Sequence, residues 1–175
     1  MKLVIIRSVI VAMVAIALGL GALLYYLQVY GYYEEIGAPA EITLVNAATG
    51  EAEAIAFRNF RGLDSDTSPI RYRACFDTDL GGADLSAYQA YTAEPLVAPN
   101  WFDCFDAKAL GAAMEAGELT VLLSQKEITY GVDRVVGILP DGRGFAWNKI
   151  NECGEVVFSG DAVPEGCPPV PERLN

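Results

Sequence analysis

The sequence predicts an α+β protein. An N-terminal transmembrane helix is followed by one small domain with a mainly antiparallel sheet and one main helix. Three observations predict it. Ser8 to Leu27 runs without a charge. Several short stretches after residue 40 alternate apolar and polar side chains between turn residues. One stretch, Phe105 to Gly117, carries apolar residues at helical spacing. Strands gathered around a single helix give a layered α+β domain.

The N-terminal run sets the organisation. Ser8 to Leu27 is 20 residues long, and at about 1.5 Å per residue it matches roughly 30 Å of bilayer hydrocarbon. Lys2 and Arg7 precede it, and Glu34 and Glu35 follow. The positive-inside rule therefore holds the N-terminus in the cytoplasm and sends the remainder across the membrane. Tyr25, Tyr26, Tyr30, Tyr32 and Tyr33 crowd the outer end, where amphipathic rings anchor at headgroup depth. The A-x-A at Ala38-Pro39-Ala40 raises the rival reading of a cleaved signal peptide. Signal cores run about 7–15 residues, so an uncleaved anchor is expected. The expected organisation is a cytoplasmic tail at 1–7, a membrane helix at 8–29, a linker at 30–40 and an exported α+β domain at 41–175. Ala15 and Gly19, like Ala17 and Gly21, form small-xxx-small pairs that suit close helix packing in lipid.

Within the domain, Glu41 to Asn46 and Glu51 to Phe57 alternate around Ala47-Ala48-Thr49-Gly50, which predicts a hairpin. Phe57 and Phe60 are expected in the core. Arg61 to Ser68 is polar, and a strand is expected over Ile70 to Phe76, with Arg71 and Arg73 on its polar face. Asp77 to Pro99 is expected to be mostly irregular, with Asp84 able to cap a short helix. The helix over Phe105 to Gly117 has Asp106 or Asp103 as its cap and Gly117 as its end. Leu119 to Leu123, Val132 to Leu139, Phe145 to Ile150 and Val156 to Phe158 predict further strands. Pro140 to Gly144 and Asn151 to Gly154 are the turns between the last three. Trp147 is expected to face out of its strand if Phe145 faces in.

Cys75, Cys104, Cys153 and Cys167 all follow the membrane segment. An even number of cysteines in an oxidising compartment reads as disulfides, and four allow three connectivities. Cys75–Cys104 and Cys153–Cys167 are favoured because each closes a local loop. The second would pin the Pro-rich tail to the domain. No C-x-x-C is present to support a thiol or copper site.

Composition excludes several functions. The chain has a net charge of −11 and no histidine. Residues 31–175 hold 23 acidic and 10 basic residues, a balance of −13. Such a domain repels nucleic acid and anionic lipid. Without histidine there is no Ser-His-Asp or Cys-His catalysis and no His-ligated zinc. Asp64-Ser65-Asp66-Thr67-Ser68 resembles a calcium loop only briefly, because Pro69 and Cys75 stand where an EF-hand needs Gly and Glu. Asp77-x-Asp79 and Asp103-x-x-Asp106 fit turns and caps better than acid/base chemistry. Arg58, Arg61, Arg71 and Arg73 stand out as a candidate interaction patch in an acidic domain. Trp101 and Phe102 suit either an interface or a plug beside a disulfide. Gly142-x-Gly144 fits a hairpin, not a phosphate loop.

The strings YYLQVYGYYEE, SPIRYRACF, NWFDCFDA, GVDRVVGILPDGRGFAWNKINECGE and GCP resemble an alphaproteobacterial family of single-pass membrane proteins without an established activity. The resemblance spans essentially the whole chain. It implies an anchor, a topology and a domain extent, but no catalytic residue. Members are sometimes labelled histidine kinase. Here there is no phosphoacceptor histidine and no length for an ATP-binding domain.

The function expected from the sequence is that of a non-enzymatic, membrane-anchored periplasmic accessory or scaffold protein. No catalytic, cofactor-binding or metal-binding residue is expected, and no cofactor. Its partners would be the membrane and another membrane or periplasmic protein, with Ala15, Gly19 and the four arginines as interaction candidates. Two alternatives stand beside it. One is an assembly factor handling metals or thiols through its cysteines. The other is the ligand-binding domain of a membrane complex.

Overall fold

The computed structural model describes Lys2 to Glu172. Met1 and residues 173–175, to which the expected cytoplasmic tail and the end of the Pro-rich tail extend, lie outside the described residues. The chain divides into two compact units, one ending at Tyr33 and the other beginning at Glu34.

The first unit is helix α1, Lys2–Tyr26, continued by a π-helical turn over Leu27–Gly31. Val4–Gly31 is long and apolar enough to cross a membrane, and none of its most apolar window is buried. Its apolar residues surround the axis instead of forming a stripe, as a helix needs when its whole surroundings are apolar. Tyr30 meets Tyr25 edge-on and stacks on Tyr26.

The second unit is built on a six-stranded antiparallel sheet in the order β1-β4-β5-β8-β7-β6. The strands are β1 (Glu34–Ile36), β4 (Phe57–Asp64), β5 (Arg73–Thr78), β6 (Thr120–Thr129), β7 (Val132–Ile138) and β8 (Arg143–Ile150). A separate hairpin, β2 (Ile42–Val45) with β3 (Ala52–Ile55), lies on one face. Its Ile42, Leu44 and Ile55 join Tyr72, Ala74, Phe76, Leu122, Val136, Ile138 and Ala146 in one buried cluster. Phe57 and Phe60 pack against that cluster, as expected. On the opposite face Phe105 meets Phe145 and Trp147 edge-on. Both faces of the central strands are therefore buried, which accounts for the near-continuous apolar run in β7.

Helix α2 spans Ala107–Glu115. Asp106 caps it by accepting from the Lys108 and Ala109 amides, and Gly117 follows in the left-handed region at φ +73°. Both signals were legible in the sequence.

Five expectations are corrected. Val156 to Phe158 is not a strand: it lies in helix α3, Glu152–Ser159. Asn151 is that helix's N-cap, accepting from the Gly154 amide at 3.0 Å, so the turn signal was a helix start. Trp147 does not face out. Residues two apart share a strand face, and Trp147 is fully buried beside Phe105 with Phe145. Residues 30–40 are not only a linker, because β1 pairs there with β4. Arg61 to Ser68 is not simply polar loop, because β4 runs on to Asp64. Asn59 at φ +55° and a register shift between Arg58 and Arg61 break the alternation that would have revealed this strand. Finally, Asp84 caps no helix; it accepts from the Ser86 amide in a turn.

Candidate functional site

The four arginines that the sequence grouped as a candidate patch have separate partners in the structure. Arg58 pairs with Asp79 at 2.6 Å, and Arg61 with Asp103 at 2.7 Å while lying over the Phe102 ring. Arg71 donates to the Thr67 hydroxyl. Arg73 is buried, not on a polar face. Its guanidinium donates to the Leu96, Ile70 and Tyr72 carbonyls and sits over Phe105. It ties an irregular loop to the sheet, a role for five fixed donors that lysine could not fill. The hydrogen bond from Arg61, then its charge, holds the Asp103 carboxyl below the usual range. Ala15 and Gly19 lie exposed on α1, and a Cβ on Gly19 would meet nothing.

The carboxylate pairs separate onto different partners. Asp77 accepts from Asn59, Asp79 from Arg58, Asp103 from Arg61, and Asp106 caps α2. No group of three or more Cys, Asp or Glu side chains among the described residues is arranged to hold a metal. The cysteines form two disulfides, Cys75–Cys104 and Cys153–Cys167, with Cα separations of 6.3 and 5.7 Å. The second holds the tail beside α3, and Tyr130 donates its hydroxyl to the Pro168 carbonyl.

Two polar constructions emerge that sequence reasoning missed. The first is a buried knot below the β6–β7 turn. Asp133, 6% exposed, accepts from the Tyr91 hydroxyl, the Glu127 amide and the Asn151 side-chain amide. The same Asn151 amide donates to Glu127, which also accepts from the Gly131 amide. Burial, and then the Asp133 charge, drives the Tyr91 hydroxyl pKa upward. Every polar atom has a use within the fold, so the knot reads as a brace.

The second is an open groove of about 560 Å³. It forms where the apolar row along one sheet face runs out. Ile138 and Val136 on β7 are followed by Arg134, and opposite it Ala146 on β8 is followed by Asn148. Arg134 donates from Nε to Asn148 Oδ1 at 2.9 Å, and Asn148 donates to the Pro69 carbonyl at 2.6 Å. The guanidinium lies 3.6 Å over the Tyr72 ring. Stack and hydrogen bond together fix its orientation. Among the described residues no carboxylate forms a salt bridge with it, and no hydrogen bond engages its terminal amino groups. Asp64, Ser65 and Asp66 also line the groove, and Tyr130, Ile128 and Phe158 give it apolar wall. Burial raises the Tyr72 hydroxyl pKa; the Arg134 cation opposes this and the Asp64 anion adds to it. The one signal for this site in the sequence was an arginine interrupting the apolar run VDRVVGIL.

Fold and site together define an apolar N-terminal helix followed by a two-disulfide α+β domain with an antiparallel sheet. The chain belongs to a family of unknown function, DUF6446, which it matches over residues 42–168. No curated protein and no solved structure matches it.

Proposed function

We propose that this chain is a single-pass protein of the bacterial inner membrane, as its alphaproteobacterial resemblance implies, and a non-enzymatic accessory or scaffold subunit. Its N-terminus lies in the cytoplasm and its acidic domain in the periplasm, where it contacts another membrane or envelope protein. One observation carries the reading: Val4–Gly31 is apolar on every side and buries none of that surface. Such a helix is stable only in lipid or against other helices. The two disulfides support an oxidising compartment. They also occupy the thiols that a metal or thiol assembly factor would use.

Topology is tested by reporters fused after Asn175. A reporter active only in the periplasm is expected to work, and activity of a strictly cytoplasmic one would overturn the topology. The accessory role is tested by gentle detergent extraction of a C-terminally tagged protein. Gly19→Leu adds bulk on the small-residue face and keeps hydrophobicity. The variant should stay in the membrane fraction and lose its companions, because close packing drives helix association in lipid. If companions survive both Gly19→Leu and an unrelated anchor, the contact lies in residues 31–175.

A further inference from the structure

Among the described residues, four basic side chains of this domain are ion-paired. Arg58, Arg61, Arg143 and Lys149 each have a carboxylate partner. The groove beside α3 is different. Arg134 has no carboxylate partner there, and Asp64 and Asp66 have no cationic one among the described residues. Asp64 accepts only from the Ser65 amide next to it. An oriented guanidinium and two carboxylates thus line one groove with no salt bridge between them.

That charge arrangement selects a ligand. A simple anion would meet Asp64 and Asp66 in a domain already at −13, and a simple cation would meet Arg134. A molecule bearing both signs satisfies both walls. The guanidinium suits a carboxylate, which accepts two parallel N–H donors. The Asp carboxylates suit an ammonium. Between them, Tyr130, Ile128 and Phe158 offer apolar surface, and Phe158 is 48% exposed although it is aromatic. The volume, about 560 Å³, falls in the roughly 300–1,000 Å³ range of small-molecule sites.

We propose that this groove binds a small zwitterion with an apolar side chain: a free α-amino acid or a short peptide, its carboxylate on Arg134, its ammonium at Asp64 and Asp66, and its side chain against Tyr130 and Phe158. The guanidinium needs no reorganisation on binding, because Tyr72 and Asn148 already hold it. The inference does not depend on the accessory role proposed above.

Isothermal titration of the full-length protein in detergent tests it with four probes. Phenylalanine and alanyl-phenylalanine carry both charges and represent the two sources. N-acetylphenylalanine lacks the ammonium, and 2-phenylethylamine lacks the carboxylate. At least one zwitterion should bind, and each single-charge analogue should bind about tenfold more weakly or worse. The tighter zwitterion identifies the source. Two variants locate the site. Asp66 is exposed and makes no side-chain hydrogen bond among the described residues, so Asp66→Asn should fold normally and lose much of the preference for phenylalanine over its N-acetyl form. Arg134→Lys keeps the charge but not the planar fork, and should weaken carboxylate-bearing probes about tenfold. The proposal is overturned if neither zwitterion binds at about 1 mM, if an analogue with one charge binds as well as both zwitterions, or if neither variant alters binding.

Discussion

Gly131 and Gly154 approach each other backbone to backbone, seating the turn between β6 and β7 on the first turn of α3. A Cβ built on Gly131 would strike the Gly154 backbone, and one built on Gly154 would strike the Gly131 carbonyl. That carbonyl also accepts from the Asn151 amide at 2.9 Å. Gly131 itself sits in the left-handed region at φ +73°. The contact places α3, and with it Phe158, at the edge of the groove.

Gly154→Ala should therefore destabilise the domain by about 1–3 kcal/mol, the range for overpacking where backbone must shift. Gly154 has no positive φ, so the cost would report the contact rather than backbone strain. Urea unfolding of the variant measures it. An unchanged midpoint would mean the two turns do not meet.

Asn151→Ala should cost more than Asp106→Ala, although both remove a helix cap. Asp106 serves only the α2 amides, and losing such a cap costs about 1 kcal/mol. Asn151 caps α3 and also donates to Glu127 and Asp133. Removing it leaves two carboxylates each a donor short, one of them buried, for a total of about 2–3 kcal/mol. Paired denaturation curves decide the order, and equal costs would argue against the knot.

The Arg61–Asp103 pair should give a small acid-dependent contribution to stability. Asp103's folded pKa lies below its ordinary value, chiefly through the hydrogen bond from Arg61. Its contribution is then fully present above the unfolded value of about 3.9 and disappears as pH falls through the lower folded value. Both side chains are more than half exposed, so solvent screens the effect. NMR titration of the Asp103 carboxyl should show Arg61→Ala moving its midpoint up toward the ordinary range. An unmoved midpoint would contradict the pairing.

The disulfides should differ in consequence. Cys75 is buried on β5, and its bridge spans 29 residues of sequence. Replacing both cysteines by alanine should cost about 3–4 kcal/mol on loop-closure entropy. Cys153 and Cys167 are both partly exposed and span 14. A limiting amount of reductant should open that bridge first, because thiolate attack needs access. Mass spectrometry of alkylated peptides reads the order. Prior labelling of Cys75 and Cys104 would reverse it.

Local signals were legible where one residue and its neighbours decide the outcome. Asp106 and Gly117 marked both ends of α2, and the Ala47 to Gly50 turn marked the β2–β3 hairpin. Signals failed where the same residue serves two motifs. Asn151 reads as a hairpin turn and as a helix cap, and only packing against Gly131 selects the cap. β4 was missed because the bulge at Asn59 shifts its inward positions out of period two. Arg73 read as exposed because its strand alternates, whereas the loop through Leu96 covers that face as well.

The sequence by itself determined the apolar N-terminal helix, the α+β class, the acidic character and the existence of cap and turn sites. These follow from composition, run length and near-neighbour spacing, which require no knowledge of distant contacts. The tertiary structure alone decided what covers each sheet face and which charges are paired. Arg58 finds Asp79, Arg61 finds Asp103 and Arg73 finds backbone carbonyls, whereas Arg134 is held by Tyr72 and Asn148 and has no salt bridge among the described residues. These arginines look alike along the chain. Their roles differ because Coulomb and hydrogen-bond energies depend on distances of a few ångströms, and those distances join residues up to 62 positions apart in sequence, as Tyr72 and Arg134 are.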